Sequence, residues 1–154
     1  MSVLRLPTLP KKANKQLWGN LPGAAQGLAI AAAARSTQRF TLLLTDNSQS
    51  AERLKDELAF FAPEVPVLHF PDWETLPYDV FSPHQDIISQ RVAALYQLPQ
   101  LQQGILIVPI NTALHRLAPK SFMLDASLVL DVGQKLDVES MRSRLQASGY
   151  QCVD

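Results

Sequence analysis

Residues 39–46 read RFTLLLTD, a short apolar run that ends in a turn signal, and this run decides the fold. A run of this length and composition is typical of a strand that is buried on both faces of a parallel sheet. Two similar runs follow, VPVLHF at residues 65–70 and GILIVPI at residues 104–110. We therefore predict three buried strands.

Helix patterns alternate with these strands. Residues 21–35 are small and apolar on every side, which predicts a helix packed inside the domain. Residues 48–62 have one apolar face, as an amphipathic helix does, and a short helix is expected near residues 112–117. This alternation predicts an α/β fold class, a parallel sheet with helices on both faces.

The helix between the second and third strands has clear start signals. Ser82 is predicted to cap it, Pro83 to take the first helical position, and Gln85 to complete a capping box. Asp86 lies in the first turn, where a carboxylate favours the helix dipole. The predicted buried stripe consists of Ile87, Ile88, Val92, Leu95 and Tyr96.

The pattern changes after Pro119. SLVLDV at residues 127–132, a helix at about 137–147 and YQCV at residues 150–153 predict a β-α-β piece. This piece is too small to hold a core alone, and the chain stops at its last strand. We therefore expect a truncated second domain.

The composition excludes several classes of protein. An apolar share of 47% and a charged share of 18% are those of a globular protein. The longest apolar stretch, residues 28–34, is far shorter than the roughly 20 residues that cross a bilayer, and the N-terminal segment lacks a secretory signal. The single cysteine, Cys152, fits a reducing compartment, so we expect a cytoplasmic protein.

The net charge is zero but unevenly distributed. No acidic residue precedes Asp46, whereas six basic residues do: Arg5, Lys11, Lys12, Lys15, Arg35 and Arg39. A basic N-terminal arm can contact nucleic acid or an acidic partner, and the alternative is a solvated arm that only keeps the chain soluble. A domain that grips DNA by its phosphates normally carries more net positive charge.

Residues 19–27 read GNLPGAAQG, a glycine-rich turn before a buried helix, which is where phosphate-binding loops lie. Such a loop needs a lysine for the terminal phosphates and a hydroxyl residue for Mg²⁺. The glycines do not make the G-x-x-x-x-G-K-[ST] pattern, and no lysine, serine or threonine lies between Gly19 and Arg35. We therefore interpret Gly19, Gly23 and Gly27 as structural turn glycines.

Other catalytic patterns are also missing from the sequence. Acidic residues and two histidines are close together between residues 69 and 86, but their spacing matches no metal-binding motif. They are His69, Asp72, Glu74, Asp79, His84 and Asp86. His115 is predicted on the surface, and Cys152 has no histidine near it in the sequence. We expect neither a metal site nor a nucleophile.

A stiff loop rich in aromatic residues and proline is predicted at residues 70–83. Its members are Phe70, Pro71, Trp73, Pro77, Tyr78, Phe81 and Pro83. The aromatic residues can pack in the core, form a protein-docking surface or stack on single-stranded nucleic acid. The negative charge of the loop opposes the last of these uses.

Three stretches carry a resemblance to a known family: FPDWETLPYDVFSPHQDIISQR (70–91), LYQLP (95–99) and ILIVPINTALHRL (105–117). They resemble the N-terminal module of the bacterial transcription-repair coupling factors, and the resemblance runs from about Leu17 to the end of the chain. It implies a lobe similar to domain 1a of UvrB, a helicase-like ATPase. The expected parts are a flexible basic arm at 1–16, this lobe at 17–121, and at 122–154 the beginning of an inserted α+β domain that binds UvrA.

The resemblance also implies a degenerate phosphate loop. Pro22, Gly23, Ala24, Ala25, Gln26 and Gly27 stand where UvrB has T-G-x-G-K-T. Ala25 replaces a glycine, Gln26 the lysine and Gly27 the hydroxyl residue. The capped helix begins only four residues after Tyr78, which leaves no room for the aromatic hairpin with which UvrB probes damage.

The family's activity implies a parent protein that translocates on double-stranded DNA, displaces stalled RNA polymerase and recruits UvrA. The resemblance assigns ATP and Mg²⁺ to motor domains outside this chain, so we expect a non-catalytic docking scaffold without a cofactor or membrane contact. The candidates for partner binding are Arg142, Arg144, Trp73, Tyr78 and Phe81. The alternative is a nucleotide-binding helicase lobe in which Lys15 or Arg35 supplies the missing cation.

Overall fold

The computed structural model describes residues 14–75, 80–120 and 132–147. The chain divides into two compact units, Met1–Leu117 and Ala118–Asp154. The first unit contains α1 (Ala25–Thr37), β1 (Phe40–Thr45), α2 (Ser48–Phe61), β2 (Val67–His69), α3 (Gln85–Gln97), a 3₁₀ turn (Leu98–Gln100), β3 (Gly104–Pro109) and α4 (Ile110–Ala113). The second unit contains α5 (Val138–Ala147).

The three strands form one parallel sheet in the order β1-β3-β2. β1 pairs with β3 along its whole length, with Phe40 opposite Gly104, and β2 pairs on the other side, with Val67 opposite Ile105. Every residue of the central strand β3 is buried. The predicted α/β class with a parallel sheet is therefore confirmed.

Helices cover both faces of β3. Successive side chains of a strand point to opposite sides, so alternate residues of β3 contact different helices. Ile105 and Ile107 pack in a core cluster with Leu58 of α2 and with the alanines of α1. On the opposite face, Leu106 packs with Ala94 of α3. The predicted placement of helices on both faces is confirmed.

The prediction that residues 39–46 are buried on both faces is wrong. Leu42 and Leu44 are 56% and 49% exposed and line an open apolar groove together with Leu95 and Leu106. Among the described residues β1 pairs with β3 alone, and α3 lies over β2 and β3. An apolar run indicates a surface that can be buried, but it does not indicate whether a neighbour covers it.

The start of α3 also differs from its prediction. His84, not Ser82, is the N-cap: its Nδ1 accepts a hydrogen bond of 3.3 Å from the N–H of Asp86, and its carbonyl accepts one from Ile87. The predicted capping box is therefore wrong, and Pro83 precedes the cap. Since the imidazole satisfies one of the free N–H groups of the first turn, the helix needs no cap from Ser82.

The buried stripe of α3 contains an unexpected cation. Val92, predicted to be buried, is exposed, whereas Arg91 is only 4% exposed. Arg91 follows Ile87 by four residues and precedes Ala94 by three, so all three lie on one face of the helix. The apolar pattern missed this position because it excludes arginine.

Two helices differ in extent from their predictions. α1 begins at Ala25 rather than near residue 21, because Gly23 has a positive φ of 53° that a helix cannot contain. It is not apolar all round, since Gln26 and Arg35 are exposed. α4 covers residues 110–113, so it begins earlier and is shorter than predicted.

In the second unit, α5 matches the predicted helix at about 137–147. Asp137 precedes it, and its Oδ1 accepts a hydrogen bond of 3.1 Å from the N–H of Glu139. The predicted strands at 127–132 and 150–153 lie outside the described residues, apart from Val132, which is in a turn. No helix within the described ranges has both the length and the apolar character needed to cross a membrane.

Replacing Gly104 with alanine is expected to lower the free energy of unfolding by about 2 kcal/mol. Gly104 has a φ of +135°, and an added Cβ would lie 2.7 Å from the carbonyl oxygen of Pro66. That oxygen accepts a hydrogen bond of 2.8 Å from Ile105, so it cannot move away freely. Urea unfolding measures the change.

Gly23→Ala is the matched control, because Gly23 also has a positive φ but nothing lies within 4 Å of an added Cβ. We expect it to cost about 1 kcal/mol, the penalty for the left-handed backbone alone. Equal losses in the two variants would show that the contact with Pro66 has no effect.

Candidate functional site

The glycine-rich turn at residues 19–27 leads directly into α1. The N–H of Ala25 donates to the carbonyl of Pro22 at 3.1 Å, and Ala24 occupies the N-cap without a side-chain hydrogen bond. The first turn of α1 contains no acidic residue. The geometry is therefore that of a tight turn followed by a helix.

Gln26, which the resemblance aligns with the lysine of a phosphate loop, is bonded to α2. Nη2 of Arg53 donates to Oε1 of Gln26 at 3.0 Å, and Nη1 of Arg53 lies 2.6 Å from Oε1 of Glu57. These three side chains form a network, Gln26–Arg53–Glu57, that joins the start of α1 to the middle of α2. Arg53 was not predicted as a site residue, because it lies 27 residues from Gln26 in the sequence.

Gly27, which the resemblance aligns with the hydroxyl residue of a phosphate loop, lies in close contact with the same network. It is buried, and a Cβ added to it would lie 2.7 Å from the Cβ of Glu57 and even closer to its carboxylate. Oε2 of Glu57 is buried and has no hydrogen-bond partner among the described residues. Gly27 therefore permits α1 and α2 to approach each other, and a carboxylate occupies the space beside it.

A polar cavity of about 350 Å³ lies next to this network. Its polar lining comes from Gln26 and Arg53 together with Thr45, Asp46 and Ser50, at the end of β1 and the start of α2. A hydrogen bond from the Ser50 side chain lowers the pKa of Asp46, so this carboxylate is ionised at neutral pH. With Arg53 opposed by Asp46 and Glu57, the cavity has no excess of positive charge for a polyphosphate.

Arg35 does not supply a cation to this turn. It lies near the C-terminal end of α1, where it forms an ion pair with Glu64 and donates a hydrogen bond to the carbonyl of Phe61, the last residue of α2. Eight residues of helix, about 12 Å, separate it from Gly27. The hypothesis that Arg35 replaces the missing lysine is therefore wrong, while Lys15 is exposed.

The aromatic loop is held by Arg91. Its guanidinium lies between the rings of Phe70 and Trp73, 4.0 Å from each centroid, and its Nη1 donates to the carbonyl of Pro71 at 2.6 Å. Burial lowers the pKa of Arg91, and the nearby carboxylate of Asp72 opposes this shift. Phe70 and Trp73 thus pack around a buried cation, the first of the uses predicted for the loop.

The other end of the aromatic loop is open to solvent. Phe81 is 77% exposed, and Val80 beside it is also exposed. Tyr78 lies outside the described residues. The three aromatic candidates for partner binding are thus not equivalent, since Trp73 is half-buried and Phe81 projects outward.

The acidic residues and histidines that the structure describes between residues 69 and 86 do not form one cluster. Asp72 accepts a hydrogen bond of 2.9 Å from Thr112, His84 lies 3.4 Å from Asp86, and His69 faces α2. Across residues 14–75, 80–120 and 132–147, no three His, Cys, Asp or Glu side chains converge. Asp79 and Cys152 lie outside these ranges.

His115, which was predicted on the surface, is half-buried. Its side chain lines the apolar groove beside β1, and its Nδ1 is buried without a hydrogen-bond partner among the described residues. Arg142 and Arg144 lie on α5 in the second unit, and both are exposed. Both arginines therefore face solvent, as a residue that binds a partner must.

The fold defines the class: an α/β domain with a three-stranded parallel sheet covered by helices, consistent with a helicase-like lobe. No family model matches the sequence. The chain is 47% identical over 148 residues, 96% of its length, to the transcription-repair-coupling factor of Escherichia coli, and 39% identical over 149 residues to that of Haemophilus influenzae. A relative of the same name from Staphylococcus aureus is 27% identical over 139 residues.

The chain is therefore a relative of the transcription-repair-coupling factors, and the resemblance predicted from the sequence is confirmed. It spans about 13% of the length of the Escherichia coli and Haemophilus influenzae proteins.

Proposed function

We propose that this chain is a non-catalytic docking module of a transcription-repair coupling factor. The observation that carries the proposal is the Gln26–Arg53–Glu57 network at the position of the phosphate loop. A triphosphate there would meet the carboxylate of Glu57 beside Gly27, and Arg53, which lines the adjacent cavity, is already paired with Glu57. Backbone dipoles alone do not offset several phosphate charges.

Titration calorimetry with ATP and Mg²⁺ tests the absence of nucleotide binding. We expect no binding tighter than about 1 mM for the wild-type chain. Binding in the micromolar range would contradict the proposal.

The second candidate function, a nucleotide-binding helicase lobe, is favoured by one observation. Arg53 places a guanidinium next to Gln26, where it can replace the missing lysine if a ligand displaces Glu57. Arg53→Gln separates the two functions, because micromolar binding that this variant abolishes would identify Arg53 as the phosphate ligand.

We further propose that the parent protein acts as its relatives' name indicates, coupling transcription to DNA repair. In this proposal it translocates on double-stranded DNA, uses ATP and Mg²⁺ in other domains, displaces stalled RNA polymerase and recruits UvrA in the cytoplasm. The chain described here provides the scaffold of the inserted domain that contacts UvrA. It holds no cofactor of its own.

Reversing the charge of Arg142 and Arg144 together, to Glu, is expected to weaken binding to UvrA about tenfold. Both arginines are exposed on α5, in the unit proposed to begin the UvrA-binding domain. Surface plasmon resonance with immobilised UvrA measures the change. It is applied to this chain and to one extended by about 100–200 residues, the length of a domain.

Arg39→Glu with Arg116→Glu is the control, since it makes the same charge change on exposed residues of the first unit. An equal loss in both double variants would indicate general electrostatic attraction. No binding by either wild-type version would remove the recruitment role.

A further inference from the structure

Another cavity, of about 270 Å³, lies where the three strands of the sheet begin. Its lining includes Arg39, Pro66 and Gln103, the residues that directly precede β1, β2 and β3. Because parallel strands begin at the same edge of a sheet, this cavity lies at the opposite edge from Thr45, the last residue of β1, and the polar cavity described above. The proposed function does not use this edge.

One part of the cavity lining is an ion pair that is already satisfied. Arg35, in the last turn of α1, pairs with both carboxylate oxygens of Glu64, with 3.1 Å between Nη2 and Oε2, and it also donates to the carbonyl of Phe61. The hydrogen bond from Arg35 lowers the pKa of Glu64, so this carboxylate is ionised at neutral pH. The charges of the two side chains therefore balance each other.

Three other polar side chains of the lining are unused. Gln38, Arg39 and Gln103 are exposed, and their side chains make no hydrogen bond or ion pair among the residues that the structure describes. The backbone of Gln38 is fixed, because its N–H donates to the carbonyl of Ala34 at 3.2 Å and its φ of 50° ends α1. Of the charged residues that line the cavity, Arg39 alone lacks a counterion, so the cavity has an excess of one positive charge.

The remaining lining is largely apolar. Ala34 is a buried member of the core cluster that α1 shares with β3, and Val65 packs against that cluster. Pro66 lies beside them, in contact with the backbone of Gly104. An apolar surface with one cation and two amide groups fits a ligand that has a charged end and an apolar stem.

We propose that this cavity binds the carboxylate of an acidic side chain from a partner protein. Arg39 provides the opposite charge, the amides of Gln38 and Gln103 donate hydrogen bonds, and the apolar lining contacts the stem of the side chain. The site is independent of the proposed UvrA contacts, which involve α5 in the other unit. Loss of one therefore leaves the other intact.

The charges at this site favour a carboxylate over nucleic acid. A protein that binds DNA neutralises several phosphates, each with its own lysine or arginine, whereas only Arg39 is unpaired in this cavity. The carbonyl groups at the C-terminal end of α1 also add negative partial charge beside Arg35. They repel a doubly charged phosphate more strongly than a carboxylate with a single charge.

Nuclear magnetic resonance of the ¹⁵N-labelled whole chain tests the site. The probe is a peptide that carries one glutamate between leucines and is blocked at both ends, and the control peptide has glutamine instead of glutamate. We expect the glutamate peptide to bind with a Kd of about 1 mM and the glutamine peptide about tenfold more weakly, since it loses a charge-assisted hydrogen bond. The backbone amide signals expected to shift are those of Gln38, Arg39, Gln103 and Gly104.

Arg39→Gln removes the charge and should weaken binding of the glutamate peptide about tenfold. Arg116→Gln makes the same change on an exposed arginine of the same unit and should leave the binding unchanged. Both positions are exposed, so thermal unfolding should show that both variants fold like the wild-type chain.

Three results with the peptide would overturn the proposal: no binding at about 10 mM, shifts that lie outside the cavity, or equal losses in the two variants. A single-stranded oligonucleotide is the remaining probe. If it binds more tightly than the peptide and Arg39→Gln weakens it, the site recognises nucleic acid and the proposal is wrong. Weaker binding of the oligonucleotide than of the peptide would support the proposal.

Discussion

Replacing Arg91 with alanine is expected to lower the free energy of unfolding by about 4 kcal/mol, a loss that exceeds the usual effect of a point mutation. Its guanidinium stacks between the rings of Phe70 and Trp73, and desolvated cation–π contacts contribute about 2 kcal/mol. The carbonyl of Pro71 would lose its donor, which costs about 1–3 kcal/mol for a buried group. The cavity left by the side chain adds to the loss.

Urea unfolding measures this change, and two further variants assign its causes. Arg91→Met keeps the volume but not the charge, and Arg91→Lys keeps the charge but not the flat surface that stacks on the rings. We expect both to be destabilised by about 2–3 kcal/mol. Arg116→Ala, an exposed arginine in the same unit, should change the stability by less than about 0.5 kcal/mol. A similar effect of Arg91→Ala and Arg116→Ala would contradict the role of the stack.

The second large effect is expected when Gln26 and Gly27 are replaced by the residues that the resemblance assigns to a phosphate loop. The double variant Gln26→Lys with Gly27→Thr recreates the lysine and the hydroxyl residue, yet we expect it to lose about 3 kcal/mol of stability and to gain no nucleotide binding. The added Cβ at Gly27 would lie 2.7 Å from that of Glu57, so α1 and α2 would have to separate. Helix propensity alone predicts the opposite sign, a gain of about 0.5 kcal/mol from removing the glycine.

The single variants identify which position is responsible. Gln26→Lys should have little effect on stability, because Gln26 is exposed. Adding Glu57→Ala to Gly27→Thr should restore part of the loss, since it removes the carboxylate but keeps the Cβ. Thermal unfolding and calorimetry with ATP measure both properties. A stable double variant that binds ATP would show that two substitutions are all that separates this turn from a working site.

The sequence predicts the parallel sheet well because β3 is apolar at every position from Ile105 to Val108 and is buried on both faces. The same kind of pattern fails for β1, whose exposure depends on which element lies over it. Leu42 and Leu44 have the composition of buried residues, but α3 packs over the other two strands. Local composition therefore predicts the strand and not its coverage.

The candidate site was predictable in part. The missing lysine and hydroxyl residue are a property of consecutive residues, so they are visible in the sequence between Gly19 and Arg35. The network of Gln26 with Arg53 joins residues 27 positions apart, and it depends on how α1 crosses α2. The spacing of four residues between Ile87 and Arg91 indicates that both lie on the same face of α3. It predicts the burial of Arg91 only if long cationic side chains are allowed on a buried face.

The strand order also determines when the domain can form during synthesis. β3 lies between β1 and β2 in the sheet but comes last of the three in the chain, and β1 pairs with it across more than 60 residues. Until the ribosome has released residues 104–109, neither earlier strand has its partner, and the nascent chain exposes apolar segments for several seconds at usual elongation rates. Long-range parallel pairing is intrinsically slow, so chaperones that bind extended apolar peptides have their longest opportunity before β3 emerges.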